Sequence, residues 1–552
     1  MSQIQDKIIN ALYLSVNNLF AIKPEDGLLM VEEPRERSMG DYSTNAAMRL
    51  AKSLHKAPIL IAQELAEELK KTLPEAESIE AVKPGFINFR IKKDVLSQTI
   101  NNVLKAGLEY GKNESGKGHN ILVEWVSANP TGELHCGHAR NAAWGDCICR
   151  LLTKSGYNCL REFYINDAGH QIDMLGESTI ARYFELLGKE YPLPEDGYHA
   201  EEIKEIAKEI IAEEGDKWLN ADAKERLDHF KTVSKQKELK KIAKDLELYR
   251  VKFDSWMPES FFYENDMARI KQVLNKMAEK GLTYEKDGAL WFKATDYGDD
   301  KDRVLRKSDG SLSYLTPDIA NHVYKVERGY EHLVNLWGAD HHSYVTRMKL
   351  ALKALGYPDG TLDVDIIQMV RMVEDGKEVK MSKRTGNAIT LRELCEDVGV
   401  DAARWFFVSK DVASHMDFDF NLARKKDNNN PVYYCQYAYT RMSSILSRKD
   451  LPSFKETNDY TRLTLDKELH LMKMMADFPK LVADSARLRK PNKIAEFIME
   501  FAKEYHSYYG IAKVYNKDDL ELTNQRIGLV KALQITLKVA FNLIGIEALE
   551  TM

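Results

Sequence analysis

Cysteine is scarce in this chain and nowhere paired by spacing: Cys136, Cys147, Cys149, Cys159, Cys395 and Cys435 form no C-x-x-C motif. A disulfide framework is therefore not expected, and the pattern fits a reduced, cytoplasmic protein. The first residues, MSQIQDKIINALYLSVNNLF, lack a basic segment with a cleavage site, so no secretory leader is expected. No apolar run is long and clean enough for a membrane span. The best late stretch, 532–549, is broken by Gln534, Lys538, Asn542 and Glu547 and reads as an amphipathic helix. An excess of positive charge is missing too. The net charge of −6 argues against a general nucleic-acid coat, although a local basic face suffices for phosphate contacts. A phosphate-binding P-loop is approached and missed. Residues 111–118, GKNESGKG, put Gly118 where Ser or Thr must hold magnesium, and they precede their strand instead of following one.

What is present is an ordinary globular balance, 44% hydrophobic and 30% charged, in 552 residues, enough for about three or four domains. The most informative stretch is 121–150. Ile121 to Val126 is an apolar run with Glu124 inside it, predicting a buried strand. Ser127-Ala128-Asn129-Pro130-Thr131-Gly132 stops it, and His135-Cys136-Gly137-His138 opens a helix. A helix start offers unpaired N–H groups and partial positive charge to phosphates, and Gly137 lets a nucleotide approach the backbone. Far downstream, Lys380-Met381-Ser382-Lys383-Arg384 is a basic loop rich in small residues.

Taken in order, residues 1–110 form an α+β module with helical spacing at 12–19, 46–54 and 59–73 and a turn-to-strand stretch at 82–89. Arg161 to Ile165 is a second strand, ending in Asn166-Asp167-Ala168-Gly169. Residues 192–250 are a charge-dense helical insertion. Strand signals resume at 289–293, 303–306 and 333–337, the last closing on Gly338-Ala339-Asp340-His341-His342. Asp340 with two histidines suits either a nucleotide contact or a metal; without an H-x-x-x-H helix or a cysteine partner, the nucleotide contact is favoured and no protein-bound metal is expected. Beyond 411 the pattern turns to long amphipathic helices. The first carries Tyr433, Gln436, Tyr437 and Arg441, rings that either pack in the core or stack on unpaired bases.

HCGH and KMSKR resemble the H-I-G-H and K-M-S-K-S signatures of class I aminoacyl-tRNA synthetases, each departing at one position. The fuller set, EWVSANPTG (124–132), NDAG (166–169), KSDG (307–310), DIA (318–320) and GADHH (338–342), resembles arginyl-tRNA synthetases in particular. GDYSTNAA and PGFINF resemble that family's N-terminal domain, and Asp401-Ala402-Ala403-Arg404 with the helices after it resembles its anticodon-binding domain.

The resemblance implies an α/β fold: a Rossmann-type parallel-sheet catalytic core (119–410), an N-terminal α+β tRNA-contacting domain (1–110) and a C-terminal all-α helical-bundle domain for the anticodon (411–552). It implies an arginine–tRNA ligase using ATP with Mg2+, L-arginine and tRNA(Arg), acting as a cytoplasmic monomer with no DNA or membrane partner. His135 and His138 are implied at the ATP phosphates and ribose, joined by Gly137, Asp340, His341, Met381 and Ser382, with Lys380 and Lys383 clamping the departing pyrophosphate. Guanidinium carries five donors in a planar fork, so its pocket needs carboxylates. Glu124 inside an apolar strand is costly unless it meets a cation, either the substrate or a structural Lys or Arg. The family adds Asp318 and Tyr314, four apart on one helical face, with Asn129 at the backbone end of arginine. It also implies that activation requires bound tRNA. The insertion shows no hydrolytic set, so no editing domain is expected.

Three rivals share parts of this pattern. A nucleotidylyltransferase shares the histidine helix but needs neither flanking domain. Another class I synthetase shares both signatures but not a reason for Glu124 with Asp318. A silent RNA-binding paralogue is expected to lose a signature histidine or lysine, and all are retained here.

Overall fold

Ile121, Leu122 and Val123 are all 2% exposed or less, because their strand, Asn120–Glu124, is covered on both faces. It pairs in parallel with Asn158–Ile165 on one side and His332–Gly338 on the other. Ser255–Pro258 and Leu362–Ile367 complete a five-stranded parallel sheet. From edge to edge the order is Leu362–Ile367, His332–Gly338, Asn120–Glu124, Asn158–Ile165, Ser255–Pro258. The chain winds outward from the centre one way, then returns and winds the other way. The crevice between Asn120–Glu124 and His332–Gly338 is therefore the topological switch point, where open α/β sheets bind ligands. The computed structural model describes residues 4–25, 27–379 and 388–552.

Alternate strand residues feed two cores. Ile121 and Val123 face the helix Cys136–Lys154 and the C-terminal bundle. Leu122 faces the helices Glu264–Glu279, Leu315–Glu327 and His342–Ala354. The insertion occupies the crossover between Asn158–Ile165 and Ser255–Pro258. Its helices Glu201–Glu214 and Ala223–Leu248 close with His170–Leu186 on a separate small core of Ile180, Tyr183, Ile206, Ile210, Trp218 and Phe230. The structural unit thus begins about twenty residues before the charge-dense segment.

Ahead of the sheet, the helices Ile4–Phe20, Ala46–Leu54 and Pro58–Thr72 pack on a three-stranded antiparallel sheet. Behind it, Pro431–Leu446, Asp466–Leu488, Asn492–Ile511 and Leu520–Ile544 form a helical bundle. The last helix is long and apolar enough to cross a membrane by composition, but 72% of its apolar window is buried, as a bundle core requires. The strand Met416–Asp419 pairs in parallel with Val370–Glu374. The segment around 416–419 is thus tied to the strands before it, and the long helices begin at Pro431.

Candidate active site

The turn after Asn120–Glu124 is sharp: Val126 and Ser127 both adopt positive φ, +64° and +42°. Asn141, one turn into the following helix, accepts from the Val126 N–H at 2.9 Å and donates to the Leu336 carbonyl at 3.1 Å. One amide side chain thus joins the turn, the helix and the neighbouring strand at the switch point. Nothing in the sequence marked Asn141.

His135 is the N-cap of the helix Cys136–Lys154. Its Nδ1 accepts from the Gly137 N–H at 3.1 Å, while the His135 N–H donates to His138 Nδ1 at 3.2 Å. An imidazole accepting at Nδ1 and uncharged carries its proton on Nε2, so each ring keeps an Nε2–H donor for a ligand. Burial lowers the pKa of His135, and burial with the neighbouring His135 pushes His138 down to about 3. Both are neutral donors at neutral pH. Gly137 has a further reason to be glycine: a Cβ there stands 2.7 Å from His135 Cε1, so only glycine lets that ring fold over the first turn.

Lys380, Met381, Ser382 and Lys383 lie outside the described residues. The segments flanking them are informative. Val379 N–H donates to Met372 O at 2.9 Å, and Cys136 N–H donates to Ile389 O at 2.9 Å. His135 also bridges to Thr390. Ile389 and Thr390 are therefore joined to the start of the histidine helix.

Carboxylates gather at the C-terminal ends of the strands. Glu124 ends its strand 7% exposed, and its partner is Lys325, fully buried on the helix Leu315–Glu327. Of the two cations left open by the sequence, the structural one is present. Lys325 thus compensates the charge of Glu124 within the protein. Lys325→Met should leave that carboxylate buried and unpaired, costing about 3–5 kcal/mol, checked by the denaturant midpoint.

Two other carboxylates have no ion-pair partner among the described residues. Asp318 lies in the first turn of Leu315–Glu327, and Glu259 directly follows the strand Ser255–Pro258. Burial raises Asp318 to about 6, opposed by the Tyr344 hydroxyl, which donates to its Oδ2 at 2.6 Å. Burial and the charge of Asp318 raise Glu259 to about 7. Tyr164 stands within the field of Glu259, Asp318 and Glu124, its hydroxyl buried without a partner. Two half-buried carboxylates without a cationic partner among the described residues have the chemistry to receive a planar, multidentate cation. Because the Tyr344 bond favours the ionised form, Tyr344→Phe should raise the Asp318 pKa. The KM for a cationic amino acid should then rise about two- to tenfold at pH 7 and return toward the parent value above pH 8.5, read from a pH–KM profile.

Glu259 and Tyr344 escaped the sequence reading. The signal for Glu259 was present in NDAG: buried Asp167 accepts from the Ser260 N–H and hydroxyl at 2.8 and 2.9 Å, fixing the residue beside Glu259. Lys235 of the insertion compensates Asp167 at 2.8 Å. Tyr314 is the N-cap of that helix, four positions before Asp318, with helical backbone angles of φ −58° and ψ −28°, and it is 90% exposed. Asn129 is held by its Nδ2 donating to Gln171 at 2.6 Å. Asp340 and His341 pair at 3.2 Å, exposed at the end of His332–Gly338.

On Pro431–Leu446, the Arg441 guanidinium lies between the rings of Tyr437 and Tyr509, 4.6 and 4.3 Å from their centroids. Tyr433 is half-buried nearby on the same helix. Gln436 does not join them. It is 5% exposed and donates to Asp401 and to the Glu547 carbonyl, so the expected tRNA contact is corrected to an internal tie. A separate cleft of about 1140 Å³ lies between the N-terminal unit and Asp466–Leu488. Its charges include pairs already made, such as Arg37–Glu504 and Lys473–Asp477, so it is a seam between units and not the substrate site.

Comparison with known proteins agrees along the whole chain. Residues 99–461 match the family model for the class I (R) tRNA synthetase catalytic domain, 435–552 the DALR anticodon binding domain, and 2–91 the arginyl tRNA synthetase N terminal domain. The sequence is 49% identical over 526 residues to arginine–tRNA ligase 1 of Halalkalibacterium halodurans, covering 95% of this chain and 94% of that one. It is 48% identical, at the same coverage, to arginine–tRNA ligase of Bacillus cereus. In fold it is similar to the Thermus thermophilus arginyl-tRNA synthetase structure, with a TM-score of 0.77, 21% identity, and 99% of this chain and 100% of that one covered.

Proposed function

This chain belongs to the arginyl-tRNA synthetase family, and we propose that Asp318 and Glu259 read the arginine guanidinium while the HCGH helix start holds ATP. It is an arginine–tRNA ligase, joining arginine to tRNA(Arg). The observation that carries the assignment of residues is the uncompensated carboxylate pair: nearby Glu124 and Asp167 each have a lysine, and these two have none among the described residues. Tyr314 closes the exposed side of this pocket, and Asn129 holds the backbone end of arginine.

The arginine carboxylate attacks the ATP α-phosphate in line, forming the carboxyl–phosphate bond of arginyl-adenylate as pyrophosphate departs. A hydroxyl of the tRNA terminal adenosine then takes the arginyl group and releases AMP. Little covalent chemistry falls to the protein, so positioning and charge stabilisation carry the rate. Nε2–H of His135 and His138 donate to phosphate oxygens as charge builds on them, and the helix N-terminus adds its partial positive charge. Gly137, Asp340 and His341 line the nucleotide side, with Met381 and Ser382. Lys380 and Lys383 act as a point-charge clamp on the leaving pyrophosphate. Magnesium would be held by the oxygens of the ATP phosphates and would neutralise their charge. Tyr433, Tyr437 and Arg441, with Tyr509, offer rings and a cation to unpaired anticodon bases. Residues 1–110 add a second tRNA contact. The free state of all six cysteines supports a cytoplasmic setting, and the protein acts as a monomer.

ATP–pyrophosphate exchange with each standard amino acid, with and without total tRNA, tests this reading. Exchange confined to arginine, and dependent on tRNA, is the expected result. Exchange with another amino acid overturns the roles of Asp318 and Glu259.

A further inference from the structure

The Asp401-Ala402-Ala403-Arg404 run has no part in the chemistry above, yet its two charged ends make a set of buried contacts that reach several elements. Arg404, on the helix Val400–Val408, is fully buried. Its Nε donates to Ile544 O at 3.0 Å, Nη1 to Tyr249 O at 3.0 Å, and Nη2 to Asp146 Oδ2 at 2.6 Å. Asp146 belongs to the HCGH helix, and the same oxygen accepts from Arg150 Nε at 2.6 Å. Arg150 in turn donates to Asn542 O at 3.0 Å. The HCGH helix is thus fastened, through two arginines, to the carbonyl end of Leu520–Ile544.

The segment after that helix continues the connection. Gly545 has φ +70°, and a Cβ there would collide with the Arg404 guanidinium. Arg250 donates to Gly545 O at 3.0 Å and pairs with Asp401 and with Glu547. Glu547 N–H donates to Asp401 at 3.2 Å. From the other side, Gln436 donates to Asp401 at 2.7 Å and to Glu547 O at 3.0 Å, and Thr440 donates to Leu549 O at 2.6 Å. Gln436 and Thr440 sit on the helix that presents Tyr433, Tyr437 and Arg441. Residues 545–549 therefore lie between the proposed anticodon-facing helix and the arginine that holds the HCGH helix.

We propose that Arg404 and the 545–549 strap are positioning elements for the ligase reaction, fixing the HCGH helix relative to the tRNA-facing helix. This rests on the reading of His135 and His138 as ATP-site residues. Charge-assisted, fully buried hydrogen bonds from one guanidinium to acceptors on three elements set a helix's position more sharply than apolar packing alone. A shift of about 1 Å at a reacting centre costs up to a hundredfold in rate. The strap's residues touch no substrate in this account, so their effect is on kcat.

The test is the full chain carrying Gln436→Leu with Thr440→Val, beside Gly545→Ala. The first pair cuts the strap from the tRNA-facing helix through two buried side chains; the second presses a methyl group on Arg404. Aminoacylation kcat per titrated active site should fall roughly tenfold in each. The KM for tRNA should move less than threefold. Normalising to titrated sites removes any loss that comes only from unfolded protein. A kcat within twofold of the parent overturns the proposal, and so does a loss confined to the tRNA KM. If the double variant melts below the assay temperature, Gly545→Ala and Thr440→Val alone decide by the same criteria. His138→Ala in the parent separates the two levels: a kcat unchanged by it overturns the ATP-site reading itself, whatever the strap variants do.

Discussion

Asp318→Asn is expected to raise the KM for arginine by about a hundredfold to a thousandfold, with a smaller effect on the KM for ATP. Removing one partner of a buried, hydrogen-bonded charge pair costs about 2–5 kcal/mol, because the guanidinium is then desolvated against a neutral amide. The amide also turns a donor toward donors, since guanidinium has no acceptor to offer. Stability should move the other way. In the free protein Asp318 and Glu259 repel each other and are raised to about 6 and about 7. Neutralising one relieves that repulsion, so the thermal midpoint should hold or rise while arginine binding collapses. A merely structural Asp318 predicts the reverse, a lower midpoint with KM unchanged. Steady-state kinetics beside a melting curve separates the two.

His138→Ala is expected to lower kcat for adenylate formation by about a hundredfold to a thousandfold while leaving the arginine KM near the parent value. The estimate is that for removing one preorganised donor from developing negative charge. His138 is also the acceptor for the His135 N–H, so its loss frees the N-cap backbone as well. His138→Asn should recover part of the rate, because an amide nitrogen can donate where Nε2–H did. The rate should be flat in pH between about 5 and 8 as far as this residue is concerned, since burial holds it neutral with a pKa of about 3. Pre-steady-state measurement of pyrophosphate release, with tRNA present, reports the step directly.

The legible parts of this molecule were local. The strand–turn–helix at 120–154 was readable because an apolar run, a proline–glycine stop and a helix start are successive in the chain. The helices of both flanking units followed from apolar spacing. Sheet order was not readable, because the central strand's partners come from residues 158–165 and 332–338. Glu124 left two cations open, and the choice of Lys325 depends on a contact 201 positions away. Glu259 looked like any acid after a short strand; its meaning appears only when three strand ends and a helix start converge. Tyr344 is 26 positions from Asp318 and belongs to another helix. Gln436 was misread for the same kind of reason. Helical spacing groups it with Tyr433 and Tyr437, but a carbonyl 111 positions later covers its side of the helix.

The measurement that tests the carboxylate pair most directly is calorimetric titration of arginine at pH 6.5 in two buffers of different ionisation enthalpy. With Asp318 at about 6 and Glu259 at about 7, the free pair carries about one proton at that pH, which the guanidinium must expel to bind both carboxylates. Release of about one proton per arginine, abolished in Asp318→Asn with Glu259→Gln, is the predicted result. Binding with no proton released, or release unchanged in that double variant, contradicts the assignment of these two carboxylates as the arginine reader.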